Sequence, residues 1–353
     1  MSDKGLARRT AVKLYFKGVD ISKELSKYLL SLSFTDKEED ETDDISITLD
    51  DREGKWVKDW ISTGREKGTK RAFKGTEIHA LVVQKNFRSD GKDKLLDCGV
   101  FEIDEVGYSG PPQKLTIKAT SIPYKTQLRQ TKHKKAWENT TLKNIAKKIA
   151  GKNSMKLMYL SAFNPSYKRK EQKNQTDIVF LKRLCKKAGI SLKITSKTIV
   201  LFDAAEYEKK KEVKKIKAGK GNILSYNFHT KTADASYTKC HVQYTDPHTK
   251  KKIEYSYKPG NANKDGQTLE IKQKVASAQE AKTLAEKMLR EKNKGETTAE
   301  FTLVGDVGLV AGATVKVYGY GEFNGKYIIE QATHNITGGY KTQIKLRSCL
   351  EGY

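Results

Sequence analysis

The stretch NQTDIVFLKRLCKKAGISLKIT, residues 174–195, decides how the middle of this chain is built. Ile178, Leu181, Leu184, Cys185 and Ala188 recur at helical spacing and form one apolar stripe. Thr176 stands where an N-cap belongs, Asp177 puts a carboxylate in the first turn, and Gly189 follows the last apolar position. The polar face carries Lys182, Arg183, Lys186 and Lys187. Such a helix either packs on a core and shows a basic face outward, or it reads a nucleic acid.

The surroundings favour packing. A helix-turn-helix reader needs a second helix joined by a three- or four-residue turn. The upstream segment NTTLKNIAKKIAG, residues 139–151, reads as a helix with Leu142, Ile145, Ala146, Ile149 and Ala150 on one face and Gly151 as its stop. Between Gly151 and Thr176 lie a strand, MKLMYL, and a polar loop, SAFNPSYKRKEQKNQ. The polar face is mainly lysine, a point charge, whereas base edges are read by the planar groups of Arg, Asn and Gln. Tyr124, Trp137, Tyr159, Phe163 and Tyr167 follow no ribonucleoprotein pattern and form no stacking platform. The helix is therefore structural, and ISLKIT with TIVLFD completes a compact α/β module.

Outward from this module the chain is β-rich. AVKLYF, DISITLD, TEIHALVV, CGVFEIDEVGYS and KLTIKATS precede it, with Ile45, Ile47 and Leu49 alternating cleanly. NILSYNF, SYTKCHVQYTD, KKIEYSYK, AEFTLVG, ATVKVYGYG and GKYIIEQATHNITGGYKTQIKLRS follow it, and Gly338–Gly339 signals a hairpin. One long helix, about 277–294, interrupts them, with Ser277 and Glu280 as a capping box. The expected fold class is α+β, mainly β, divided as 1–120, 121–210 and 211–353.

Charge is distributed unevenly. Of a formal net charge of +25, residues 1–120 contribute zero and residues 121–220 contribute +20. A block of this kind suits an acidic partner, and Lys132, Lys134, Lys135, Lys168, Arg169, Lys170, Lys182, Arg183, Lys186 and Lys187 are the candidate docking residues. The acidic run DKEEDETDD, residues 36–44, lacks the glycine and terminal Glu of an EF-hand loop and reads as a solvated loop.

Reactive constellations are missing from the sequence. Six histidines are dispersed at 79, 133, 229, 241, 248 and 334, and those in strand patterns read as packed or rim residues. The stretch GYGEFNGKY, residues 319–327, imitates a phosphate loop but runs into a strand, so no helix N-terminus waits for an anion. The four cysteines show no framework spacing, and no run is long and apolar enough to span a bilayer. The opening MSDKGLARRTAVKLYF lacks the pattern of a secretory signal, so synthesis in a reducing cytosol is expected. No catalysis, cofactor or metal is assigned.

Three ordered blocks resemble the phage late control gene D family, the tail baseplate hub proteins, akin to the hub region of type VI secretion spikes. They are DDISITLDD with GVFEIDEVGYSGPPQKLTIKATS; NPSYKRKEQKNQTDIVFLKRLCKKAGISLKITSKTIVLFD; and LVAGATVKVYGYGEFNGKYIIEQATHNITGGYKTQIKLR. The resemblance implies two related antiparallel β-barrel tube domains flanking the α/β module, and a homotrimeric ring joining a sixfold tail tube to a threefold spike. It implies a place in the baseplate of a virion or tail-like particle. The implied partners are a spike, a tube or tube-initiator protein, wedge proteins and a tape measure protein. Because the sequence stops at Tyr353 after the closing block, the spike is expected to be a separate protein and no wall-cleaving domain is expected. The alternative is non-specific nucleic-acid binding through residues 121–220.

Overall fold

Alternation of apolar and polar residues builds most of the strands. In the computed structural model, the described residues are 7–39, 42–56, 76–87, 92–122, 128–195, 197–233, 235–246, 249–260 and 266–350. The first third forms β1 (Arg9–Phe16), β2 (Val19–Asp20), β3 (Leu29–Lys37), β4 (Asp44–Asp50), β5 (Glu77–Lys85), β6 (Lys94–Ser109) and β7 (Lys114–Thr120). Leu32, Phe34, Ile45, Ile47, Leu49, Leu115 and Ile117 point to one side and are buried, while Ser33, Thr35, Ser46, Thr48 and Thr116 point to the other.

The middle holds β8 (Lys132–Thr141), β9 (Lys156–Tyr159), β10 (Ser166–Thr176), β11 (Ser191–Ile194) and β12 (Thr198–Phe202), with helices Leu142–Lys152 and Asp177–Ala188. The last third holds β13 (Lys214–Lys217), β14 (Ile223–Thr230), β15 (Tyr237–Thr245), β16 (Lys252–Tyr257) and β17 (Gln267–Ile271). After the helix Ala278–Asn293 come β18 (Thr297–Val304), β19 (Thr314–Tyr318), β20 (Gly325–Ile336) and β21 (Tyr340–Ser348). The fold is mainly antiparallel β, as the alternation implied.

One 13-stranded sheet spans both ends of the chain. It runs β14-β18-β21-β20, crosses to β3 and continues β4-β7-β6-β5-β1-β2, while β19 joins β20 and β13 joins β19. The crossing is the antiparallel pairing of β3 with β20, which sets Phe34 opposite His334 and Thr35 opposite Thr333. Two small sheets, β11-β12-β9 and β16-β15-β17, lie off it, as does the β8–β10 ribbon. Apolar packing follows this division. One core holds the first third together with Val307, a second lies within residues 122–201, and a third joins Ile216 to strands β18–β21. The fourth packs the Ala278–Asn293 helix on β15 and β17 through Ala281, Leu284, Ala285, Leu289, Val242 and Leu269.

Local signals hold with particular exceptions. Ser277 Oγ accepts from Glu280 N–H at 3.1 Å, the first half of a capping box, while the Glu280 carboxylate reaches one residue beyond the cap and accepts from Ala276 N–H at 2.7 Å. Gly189 closes its helix at φ 59°, and an added Cβ would stand 2.6 Å from Cβ of Lys287 on the long helix. Gly338, at φ 63°, turns the β20–β21 hairpin.

Four expectations need correction. The upstream helix runs through Gly151 to Lys152, and its close comes from Asn153, whose Nδ2 donates to Ile149 O at 2.8 Å. Thr176 occupies the N-cap position, but its hydroxyl makes no capping bond. The polar loop before it is in large part β10, an 11-residue strand recruited by β8 rather than by an apolar face. The acidic run is not a solvated loop: Asp36, Glu38 and Thr42 are buried, while Asp40 and Glu41 lie outside the described residues.

Candidate docking surface

The ten basic residues marked in the sequence fall on three packed elements. Lys132, Lys134 and Lys135 sit on β8, Lys168, Arg169 and Lys170 on β10, and Lys182, Arg183, Lys186 and Lys187 on the Asp177–Ala188 helix. Antiparallel pairing puts Lys134 opposite Lys173, Arg169 opposite Glu138 and Lys170 opposite Trp137. Few apolar anchors hold this ribbon. Trp137 is buried, stacks on Phe180 at 6.0 Å and donates its indole N–H to Gln172 Oε1 at 3.3 Å. Gln172 Nε2 donates in turn to Gln175 O at 3.0 Å and to Asp177 Oδ1 at 2.9 Å, tying ribbon to helix. Arg183 Nη2 donates to Glu171 O at 3.0 Å.

The cations are not equivalent. Arg169 is paired with Glu138 at 3.0 Å and Glu171 at 3.1 Å, and Lys173 with Glu171 at 3.0 Å. Glu138, Glu171 and Lys173 had no place in the sequence-based selection, because β10 does not alternate and its cross-strand neighbours are not readable from one strand alone. Lys135 lies over the Trp137 ring at 4.0 Å. Lys170 lies over Tyr167 at 4.8 Å, and burial, then Lys187 and Arg183, push its pKa down. Among the described residues, Lys170, Arg183 and Lys187 have no carboxylate partner. Lys168 and Lys186 are exposed and Lys182 is half-buried, and Tyr124 lies outside the described residues.

Behind this surface runs a second charged region, the seam where the three parts of the chain meet. Arg347 is fully buried, donates from Nη1 to Glu208 at 2.5 Å, and lies 3.4 Å from Glu38 and 3.3 Å from Glu330. Burial opposes its charge, but Glu38 and Glu208 outweigh burial and hold its pKa above the usual value. Burial drives Glu38 the other way, up to about 7, against the attraction of Arg347. Arg290 also pairs with Glu208, Lys294 with Glu39 and Lys287 with Asp203. Lys193 donates to Asp36 at 2.7 Å, and Asp36 also accepts from Ala311 N–H at 2.9 Å.

The seam continues into a neutral cluster. His334 is buried and stacks on Phe34 at 5.9 Å. Burial lowers its pKa to about 4, so the ring is neutral. Its Nε2 faces Leu309 O at 3.0 Å, the arrangement of a donor, which leaves Nδ1 to accept from Tyr340 O–H at 2.7 Å. Thr342 Oγ1 accepts from Asp306 N–H at 2.9 Å, and Gly305 packs under Tyr340. The His…Gly-Gly-Tyr-x-Thr run is thus a structural cluster, which agrees with the packed reading of His334. Among the described residues no group of His, Cys, Asp and Glu is placed to hold a metal ion, and no helix is long and apolar enough to cross a membrane.

The geometry so far defines a mainly β chain fastened by buried ion pairs, with a ribbon and a helix that carry the marked basic residues. Comparison with known proteins narrows this further. The pattern of the phage tail baseplate hub (GPD) family matches residues 106–340, well over half of the chain, and the chain belongs to that family. A probable baseplate hub protein of Escherichia phage 186 is 25% identical over 203 residues, which cover 57% of this chain and 47% of that protein. The chain therefore spans about half the length of that relative. A tail protein of Neisseria meningitidis MC58 has the same fold, with a TM-score of 0.65 at 12% identity over 96% of both chains. A type VI secretion system component of E. coli aligns with a TM-score of 0.54 at 11% identity, over 99% of this chain and 77% of that one.

Proposed function

We propose that this chain is a structural hub in the baseplate of a phage tail or tail-like contractile particle. The observation that carries the reading is the family match across residues 106–340. The whole-length fold likeness to a tail protein supports it. A hub must be rigid and must hold fixed faces toward different neighbours. Buried ion pairs that tie the first, middle and last thirds together suit that demand, because relative movement of the parts would strand charges out of water.

In this reading three copies form a ring between a sixfold tube and a threefold spike, with residues 1–120 and 211–353 as tube-forming walls and 121–210 as a lateral module. The segregation of the first three apolar cores supports that partition. The basic module meets an acidic neighbour in the baseplate, and a structural role requires no reaction. The nucleic-acid alternative is not carried forward, because Glu138 and Glu171 interrupt the ribbon's positive face where a phosphate backbone needs continuous charge.

The test is the light-scattering mass of purified, nuclease-treated protein at moderate salt, with images of the same fraction. A mass near three times 39.8 kDa and a ring in projection are the expected result. A monomer that also fails to join a ring with spike and tube proteins overturns the trimeric hub.

A further inference from the structure

Lys170, Arg183 and Lys187 stand out from the other cations of the basic module. Arg183 and Lys187 are four residues apart on one helix, so their side chains share a face. That face looks toward β10, because Arg183 Nη2 bonds to Glu171 O at 3.0 Å. Lys170 precedes Glu171 on that strand, and its ammonium lies over the Tyr167 ring at 4.8 Å. The Arg183 guanidinium lies over the Phe180 ring at 5.3 Å. Two aromatic rings thus hold two cations in place beside a third. Both ring-held cations are half-buried, which makes their mutual repulsion stronger than in open solvent.

The neighbouring cations are treated differently. Arg169 and Lys173 have carboxylates of the chain itself, Glu138 and Glu171, within 3.2 Å. In the Lys170 cluster the like charges meet with no carboxylate among the described residues, and the burial of Lys170 adds to the cost. An anion supplied from outside would relieve both.

We propose that Lys170, Arg183 and Lys187 form a site for the carboxylates of an acidic peptide segment on a neighbouring protein. This deepens the docking role assigned above and rests on the hub reading for the identity of that neighbour. Two observations favour a peptide over a phosphodiester chain. The cluster is discrete: Lys170 shares its face of the ribbon with buried Trp137 and Gln172, and the opposite face carries Glu138 and Glu171, so a continuous anion wrapping the ribbon would meet carboxylates there. The ribbon also pairs with no third strand among the described residues, and backbone pairing is a contact that a peptide can make and a phosphodiester chain cannot.

The test uses the full chain and fluorescein-labelled octaglutamate, read by anisotropy at about 0.15 M salt, where long-range attraction is largely screened. The K170Q/K187Q variant leaves the Arg183–Glu171 bond intact, and K143Q/K147Q removes the same charge elsewhere in the block. Binding about tenfold weaker in K170Q/K187Q and less than twofold weaker in K143Q/K147Q is expected. R183K, which keeps the charge and loses the planar fork, is expected to weaken binding severalfold. Equal losses in the two double variants overturn the site, as does no binding by the parent chain. Tighter binding of a duplex oligonucleotide of equal charge, lost equally in both variants, overturns it in favour of non-specific phosphate contact. Failure here leaves the trimer measurement standing, and a monomer there leaves this peptide result standing, so the two readings fail separately.

Discussion

At the seam Arg347 sits fully buried among Glu38, Glu208 and Glu330, whereas on the ribbon Lys170 lies beside Arg183 and Lys187 with no carboxylate partner among the described residues. The seam's charges come from segments up to 309 residues apart and meet opposite charge inside the protein. The uncompensated charges of Lys170, Arg183 and Lys187 lie within eighteen positions of one another, the first two half-buried and the third exposed. Buried pairs fasten a fold when every partner is present; half-exposed, unpaired cations store attraction for something not yet bound. The difference separates what holds this chain together from what, in our proposal, it offers to a neighbour.

The largest expected break of that contrast is Arg347→Ala. It strands Glu38, Glu208 and Glu330 without their shared cation and is expected to cost about 3–5 kcal/mol, read as a lower urea midpoint. Next is Gly305→Ala. A Cβ there would lie 2.1 Å from the Tyr340 ring, so Tyr340 must leave His334, with an expected loss of about 1–3 kcal/mol in the same measurement.

The pH dependence sharpens the contrast from both sides. Glu38 titrates higher folded than unfolded, so its contribution is full below about pH 4.5 and is lost as pH rises through about 7. His334 titrates lower folded than unfolded. Its contribution is full above about pH 6.5 and is lost as pH falls through about 4. In melting curves against pH, Glu38→Gln should flatten the alkaline side and His334→Gln the acid side. The smallest effect belongs to the ribbon. Arg169→Ala breaks exposed pairs with Glu138 and Glu171 and should change stability by less than about 0.5 kcal/mol.

Where structure is local, the sequence announces it. Ile45, Ile47 and Leu49 alternate and are buried, and Ser277 caps its helix as read. β8 and β10 were invisible because KHKKAWENTT and SYKRKEQKNQT bury only four side chains between them, Trp137, Tyr167, Gln172 and Thr176. The acidic run misled for a different reason. Its cations, Lys193, Lys294 and Arg347, lie far along the chain, so composition alone suggested solvent. A usable signal was present nevertheless: Leu32, Phe34, Asp36 and Glu38 continue one period-two register, so the two acids fall on the buried face. The ten docking candidates were found by charge, and which of them lack partners became visible only with cross-strand neighbours in place.

The pairing of β3 with β20 also sets a timetable for the ribosome. Thr35 and Thr333 are 298 positions apart, an interval that takes roughly 15–60 s at typical rates of synthesis. Until then the outer edge of β3 has no strand to pair with, and an open edge invites the wrong neighbour. Asp36, Glu38 and Glu39 lie at that edge, where charge discourages a hydrophobic strand from adding to it. The residues that lock the finished protein therefore also guard it while it is half made, and they give up that duty in turn as Lys193, Lys294 and Arg347 arrive.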